Sequence, residues 1–186
     1  MDLKSIISSV YTISESAMKE ILPFVEEVEF PKGYILSQEG EIDNTIYFLK
    51  KGFVRAYSNR NGEEVTFWFG MEGNIICSMM NYIEKKPSYE TTELLEDSEL
   101  YCIRTARLEK LYMQNLEWAN WGRKYIEREI IKAENRLIEL QFMSATERYQ
   151  SLLNNNPSII QRVPLGIIAS YLGITQVSLS RIRAKI

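Results

Sequence analysis

The chain has 186 residues, 45% hydrophobic and 25% charged, which suits one sizeable domain or two small ones around a buried core. It contains no histidine, which removes the commonest general base and metal ligand, and with them a Ser-His-Asp hydrolase, a His-ligated haem and a His-built metal centre. Its two cysteines, Cys77 and Cys102, lie in apolar runs (NIICSMM and LYCIR), exclude a four-cysteine iron–sulfur cluster on one chain, and read as buried thiols in a reducing compartment.

The opening MDLKSIISSV lacks the basic start, long apolar run and small-residue cleavage site of a signal peptide. No stretch approaches the roughly eighteen apolar residues of a membrane span, so a cytoplasmic protein without membrane association is expected. Over the first 28 residues, Ile6, Ile7, Val10, Met18, Ile21, Leu22 and Val25 fall at helical spacing. Short helices are expected there, one of them capped by Ser14, with Ala17 where a capping box would need Glu.

From Val28 to about Ile103 the texture changes to short runs rich in Val, Ile, Tyr, Phe and Thr, punctuated by Gly33, Gly40, Gly52, Gly62, Gly70 and Gly73. Strands and turns at this interval predict an antiparallel sandwich or barrel. The sharpest local signal is RAYSNRNGEEVTFWF, where Asn61-Gly62 supplies the positive φ angles of a two-residue hairpin turn. Around it Val54, Ala56, Val65 and Phe67 alternate with polar residues, the period of a half-buried strand.

Helical spacing returns in TARLEKLYMQ (105–114), followed by a long helix from about Leu116 to Met143. Along that helix Ala119, Gly122, Ile126, Ile130, Ala133, Leu137 and Leu140 follow steps close to a heptad seam, flanked by charges. A second apolar stripe comprises Trp118, Trp121, Tyr125, Ile138 and Phe142. One stripe is expected to pack on the barrel while the seam meets a second copy; the alternative is that both are buried within a monomer.

After Met143, ATERYQSLLNN reads as a short helix ended by Asn154–Asn156 and Pro157, PSIIQRV as a connector, and Pro164 as the first turn of LGIIASYL. Gly173 turns the chain and Thr175 caps a last helix, QVSLSRIRAKI. This is helix-turn-helix spacing, with Ile168, Ala169, Leu172, Ile174, Leu179 and Ile182 as its small core. The net charge of −3 is also lopsided. After Glu147 the only charges are Arg148, Arg162, Arg181, Arg183 and Lys185, which leaves 17 basic against 25 acidic residues before them. An acidic body with a basic end points to nucleic acid at that end, the alternative being a hairpin that only packs on its neighbours.

These features together resemble the CRP/FNR family of bacterial transcription regulators, along nearly the whole chain. The residues that carry the resemblance are the run from Gly40 to Gly52 (G-x-x-x-x-x-I-Y-x-L-x-x-G) and the terminal LGITQVSLSRI. The resemblance implies an α+β fold: an antiparallel β-roll of the double-stranded β-helix or jelly-roll kind with flanking helices. Residues 1–115 would be a cyclic-nucleotide-binding-like sensor domain, 116–143 the dimerisation helix, and 144–186 the helix-turn-helix domain. It further implies a homodimer on double-stranded DNA with a near-palindromic operator. DNA-contacting residues would be Thr175, Gln176, Val177, Ser178, Arg181, Arg183 and Lys185, and RNA polymerase is a further partner of such a regulator. Val177 stands where relatives usually carry a Glu, so their operator is not carried over, and Ile186 ends the sequence before the β-hairpin wing most relatives have.

Cyclic-nucleotide-binding relatives place a G-E-[LI]-[AG] cassette and a P-R-[AST] arginine around the phosphate. Here the cassette reads Cys77-Ser78-Met79-Met80, and Ser88 of Pro87-Ser88-Tyr89 stands in the arginine's place. A buried phosphodiester without a cation is costly, so neither cyclic AMP nor cyclic GMP is expected to bind. The candidate pocket for another small-molecule effector, apolar or aromatic, comprises Cys77, Ser78, Met79, Met80, Tyr82, Tyr89 and Thr91; a purely structural or protein-contact role stays open. No cofactor, metal or enzymatic activity is expected. The rival readings are an interaction module that has lost DNA binding and a cupin-type enzyme.

Overall fold

The computed structural model describes residues 1–185. Two helices open the chain, α1 (Leu3–Val10) and α2 (Glu15–Ile21), the second extended by a 3-10 turn at Leu22–Phe24. Asp2 and Ser14 cap them through bonds from Ser5 N and Ala17 N. Eight strands follow: β1 (Glu26–Phe30), β2 (Ile35–Ser37), β3 (Thr45–Lys51), β4 (Phe53–Arg60), β5 (Glu63–Met71), β6 (Ile75–Ile76), β7 (Thr91–Leu94) and β8 (Ser98–Arg104). They form two four-stranded antiparallel sheets, ordered β1-β8-β3-β6 and β2-β7-β4-β5. This is the β-roll, with Leu36, Leu49, Val54, Ile76, Leu94 and Leu100 as the core between its sheets.

The β4–β5 hairpin turns on Asn61 (φ 56°) and Gly62 (φ 87°), with Arg60 paired to Glu63, as the Asn-Gly pair requires. That alternation does not carry through β5. The register shifts between Ala56 and Tyr57, so Ala56 faces Trp68 and Val54 faces Gly70. Phe67 is the bulged residue, Thr66 is buried, and Val65 lies exposed. One extra residue moves the buried set to the other parity.

Between β6 and β7 the chain makes a π-helical turn at Met80–Glu84, then a polar loop. Next come α3 (Thr105–Gln114) and the 27-residue α4 (Leu116–Phe142). The amino half of α4 closes a core with α1, α2 and one sheet. Trp118 and Trp121 are fully buried there and donate their indole N–H to Ala17 O (3.0 Å) and Ile7 O (2.9 Å). Four helices end the chain: α5 (Ala145–Asn155), α6 (Ile159–Arg162), α7 (Leu165–Leu172) and α8 (Gln176–Arg183). Residues expected as a plain connector thus contain α6, whose Ile159 is completely buried. Pro164 sits at the cap of α7 and not inside its first turn.

The C-terminal helices share a core with the roll. Phe53 and Leu95 join Tyr149, Leu152, Val163 and Leu172 in one buried cluster. Arg162 fastens this contact with hydrogen bonds to Glu96 (2.6 and 2.9 Å), Glu72 (2.8 and 3.1 Å) and Gly52 O (2.8 Å). Burial alone would raise the Glu72 pKa, but the Arg162 bonds and the Gly52 N–H outweigh it and bring it down to about 2.

Candidate functional site

The expected helix-turn-helix forms around Gly173, which adopts φ 68° and lets its N–H close back on Ser170 O and Ala169 O. Helices α7 and α8 meet at 97°, within the range for such pairs. Ile168, Ala169, Leu172 and Leu179 are buried between them and Ile174 and Ile182 pack at the edge, as the sequence indicated. Gly166 allows the approach, since a Cβ there would lie 3.2 Å from Gln176 Oε1.

The outer face of α8 carries Thr175, Gln176, Val177, Arg181, Arg183 and Lys185, all exposed, with Ser178 half-buried. Thr175 Oγ1 accepts from Ser178 N (3.2 Å) and lies 2.9 Å from Ser178 Oγ, so the two hydroxyls also serve the cap. The amino terminus of α8 therefore faces solvent with a preformed cap, a polar rim and a basic last turn. Two of the five C-terminal cations prove to be internal. Arg162 clamps the roll, and Arg148 donates to Leu172 O (2.9 and 3.2 Å) and Met143 O (2.6 Å). The basic surface is thus narrower than the composition suggested: Arg181, Arg183 and Lys185.

The seven seam residues of α4 divide. Gly122 is buried under Tyr112, where a Cβ would meet the ring at 2.8 Å, and Ile126 packs against the N-terminal core. Both are already occupied by their own chain. Ile130, Ala133, Leu137 and Leu140 are exposed, while Ala119 is half-buried. The second stripe divides at the same level: Trp118, Trp121 and Tyr125 are buried, but Ile138 and Phe142 are exposed, as is Ile131 between the stripes.

A cavity of about 500 Å³ opens where the roll, α4 and the C-terminal helices meet, a size that suits a small molecule. Of the residues expected to form a pocket, Cys77, Met79 and Tyr89 line it. Ser78, Met80, Tyr82 and Thr91 do not. Ser78 is buried and Met80 opens the π-helical turn; Tyr82 packs on the N-terminal core and Thr91 accepts from Glu39 N (3.1 Å). The walls the sequence reading missed are Phe67, Trp68 and Phe69 of β5, Glu129, Lys132 and Arg136 of α4, and Tyr171 of α7. Cys77 Sγ lies 4.0 Å from Tyr125 Oη, and desolvation pushes its thiol up to about 12, although Cys77 and Cys102 are half-buried and not the fully buried thiols expected.

At the cassette the chain satisfies itself. Asn81, almost fully buried, donates to Glu41 O (3.1 Å) and Lys86 O (2.6 Å) and accepts from Asp43 N (3.1 Å). Tyr82 N and Lys85 N bond to Ser78 O and Asn81 O, and Asn81 N lies 3.4 Å from Ser78 Oγ. Ser88, buried, accepts from Glu90 N (3.0 Å) and donates to Glu90 O. The N–H groups of Asn81, Tyr82, Lys85 and Glu90 are thus engaged, and Glu90 stands buried in the cavity wall. Burial raises the Glu90 pKa, opposed by a bond from Ser78.

Residues 27–115 match the family model described as cyclic nucleotide-binding domain. FixK2 from Bradyrhizobium japonicum is similar over 87% of this chain and 83% of its own, at 21% identity and a TM-score of 0.73. The catabolite activator protein of Thermus thermophilus is similar over 94% and 84%, at 18% identity and a TM-score of 0.60. CLP, the c-di-GMP-responsive global regulator of Xanthomonas campestris, is similar over 92% and 91%, at 17% identity and a TM-score of 0.68. No match among curated proteins reaches significance. A β-roll, a long connecting helix and a terminal helix-turn-helix define the class. Residues 27–115 are a cyclic-nucleotide-binding-type domain, and the chain as a whole has the fold of the CRP/FNR transcription regulators.

Proposed function

We propose that this protein is a sequence-specific DNA-binding transcription regulator of the CRP/FNR type that acts as a homodimer and does not respond to cyclic AMP. The observation that carries this reading is the α7–α8 pair. It has its own small core, a 97° crossing, and an outer face on which Gln176, Arg181, Arg183 and Lys185 stand clear of the body. Residues 1–115 serve as the sensor, 116–143 as the dimerisation helix and 144–186 as the DNA-binding unit.

The exposed stripe Ile130, Ala133, Leu137 and Leu140 supports pairing with a second copy, since large exposed apolar patches mark interaction surfaces. Pairing there would present two α8 helices to successive major grooves roughly 34 Å apart on a near-palindromic site. Arg181 would read guanine, a contact worth about 1–3 kcal/mol of discrimination, and Lys185 would contact phosphate. Arg181→Ala is expected to relax specificity and Lys185→Ala to weaken binding to all sequences alike.

The self-satisfied cassette and the buried Glu90 support the absence of cyclic-nucleotide binding. A phosphate placed beside Glu90 would lose its water and face a buried carboxylate, with Ser88 standing where relatives carry an arginine. Selection of bound sequences from random double-stranded DNA tests the main reading. The expected result is a near-palindromic consensus; recovery of no enriched sequence, with no salt-dependent DNA affinity, overturns it. Isothermal titration showing micromolar binding of cyclic AMP overturns the second part.

A further inference from the structure

Two polar side chains that line the cavity at the junction of roll, α4 and α7 keep buried atoms without a hydrogen-bond partner among the described residues. One is Glu90, 5% exposed, whose Oε2 has none. The other is Arg136, whose Nε and Nη1 have none. Its Nη2 donates to Tyr171 O, and the guanidinium lies 3.9 Å from the centre of the Tyr171 ring. Glu139 Oε2 forms an ion pair with Nη1 at 3.6 Å, too long for a hydrogen bond. Both side chains line the same cavity, whose wall also carries Phe67, Trp68, Tyr89 and Tyr125.

Leaving such groups buried and unpaired costs about 1–3 kcal/mol each, more where a charge is involved. Native structures therefore supply partners, and here both groups border one cavity with room for a small guest. The chemistry of each group selects its half of the guest. An acceptor-only carboxylate at Glu90 calls for a hydroxyl or amine donor. The guanidinium, with Nε and Nη1 still free to donate, calls for an anionic acceptor such as a carboxylate. Lys132 does not compete for that anion, because it is paired with Glu129 at 2.7 Å.

We propose that this cavity binds a small aromatic acid carrying a hydrogen-bond donor at its far end, the donor pairing with Glu90 and the acid with Arg136. This polarity is the reverse of a site for a phosphodiester at the cassette end, where Glu90 repels an anion. Arg136 also holds the main chain of α7 through Tyr171, so a guest that draws on its unfilled donors acts on a residue fastened to the helix-turn-helix. The effector role rests on the DNA-binding reading above; the binding itself does not.

Isothermal titration on the full-length protein tests the inference with three probes: 4-hydroxycinnamate, cinnamate without the phenolic donor, and 4-vinylphenol without the carboxylate. The expected result is binding of 4-hydroxycinnamate, about ten-fold or more weakened by removal of either group. Glu90→Gln should erase the advantage of 4-hydroxycinnamate over cinnamate, and Arg136→Gln its advantage over 4-vinylphenol, a pairing that a purely structural effect would not produce. No binding of 4-hydroxycinnamate at millimolar concentration overturns the proposal, as does an advantage that both variants leave intact. Fluorescence anisotropy on selected DNA, run in parallel, separates the two readings. DNA binding without probe binding removes the cavity proposal alone, and probe binding without DNA binding removes the regulator alone.

Discussion

The two halves of α4 share one helix and one apolar rhythm but have opposite fates. In the amino half Trp118, Trp121 and Tyr125 are sealed against α1, α2 and the roll, with Trp121 only 1% exposed. In the carboxyl half Ile130 and Leu137 are each 61% exposed and Phe142 77%. Exposing that much apolar side chain is unfavourable by about 25 cal/mol per Å², which is the physical ground for the pairing proposed above. Periodicity thus identifies a helix and its apolar stripes but does not tell which partner covers each stripe.

The sharpest break in that contrast is truncation in the buried half. Trp121→Ala removes a fully buried ring and its bond to Ile7 O, and should destabilise the fold by about 3–5 kcal/mol in urea denaturation. Leu137→Glu in the exposed half should leave monomer stability within about 0.5 kcal/mol. It should nevertheless shift sedimentation equilibrium towards monomer and weaken DNA binding; an unchanged dimer would show that another surface pairs. Gly122→Ala probes the boundary between the halves. Its Cβ would strike the Tyr112 ring, so a loss of about 1–3 kcal/mol is expected, against none if Gly122 faced solvent or a loose partner.

The smallest effect is expected at Glu90. Its folded pKa is raised above the ordinary carboxyl value of 4.5, by burial first and by Glu39 nearby, so ionisation works against folding. The fold therefore loses stability as pH rises from about 4.5 through the folded pKa, and Glu90→Gln removes that loss. Urea midpoints at pH 7 should be higher for the variant than for the parent, with the gap closing below about pH 4.5. Glu129, Lys132 and Arg136 line the same cavity and are common to both proteins. Glu72 is the opposite case. Its pKa is depressed to about 2, so the Arg162 clamp contributes stability above pH 4.5 that is lost as pH falls towards 2.

Much of the fold was legible because its signals are local. The Asn61-Gly62 turn, the Ser14 and Thr175 caps and the Gly173 turn each follow from one or two residue types. So did the spacing of the helix-turn-helix core. The Ser144–Glu147 capping box of α5 is equally local, written as Ser-x-x-Glu. The bulge at Phe67 was not legible, because an extra residue leaves no mark on composition. Nor is the Arg162 clamp, whose partners lie 66 and 90 residues away, so the charge asymmetry of the sequence overstates the basic surface. The cavity was half legible. Its roll-side residues Cys77, Met79 and Tyr89 come from one segment, but Arg136 and Tyr171 reach it only through the tertiary docking of α4 and α7.

The most direct measurement is the affinity of the full-length protein for its selected duplex and for random duplex across a salt series. A dimeric sequence reader should bind the selected site at least about 10³-fold more tightly than random DNA, with affinity for both falling as salt rises. Equal affinity for the two duplexes, or affinity indifferent to salt, would contradict the account.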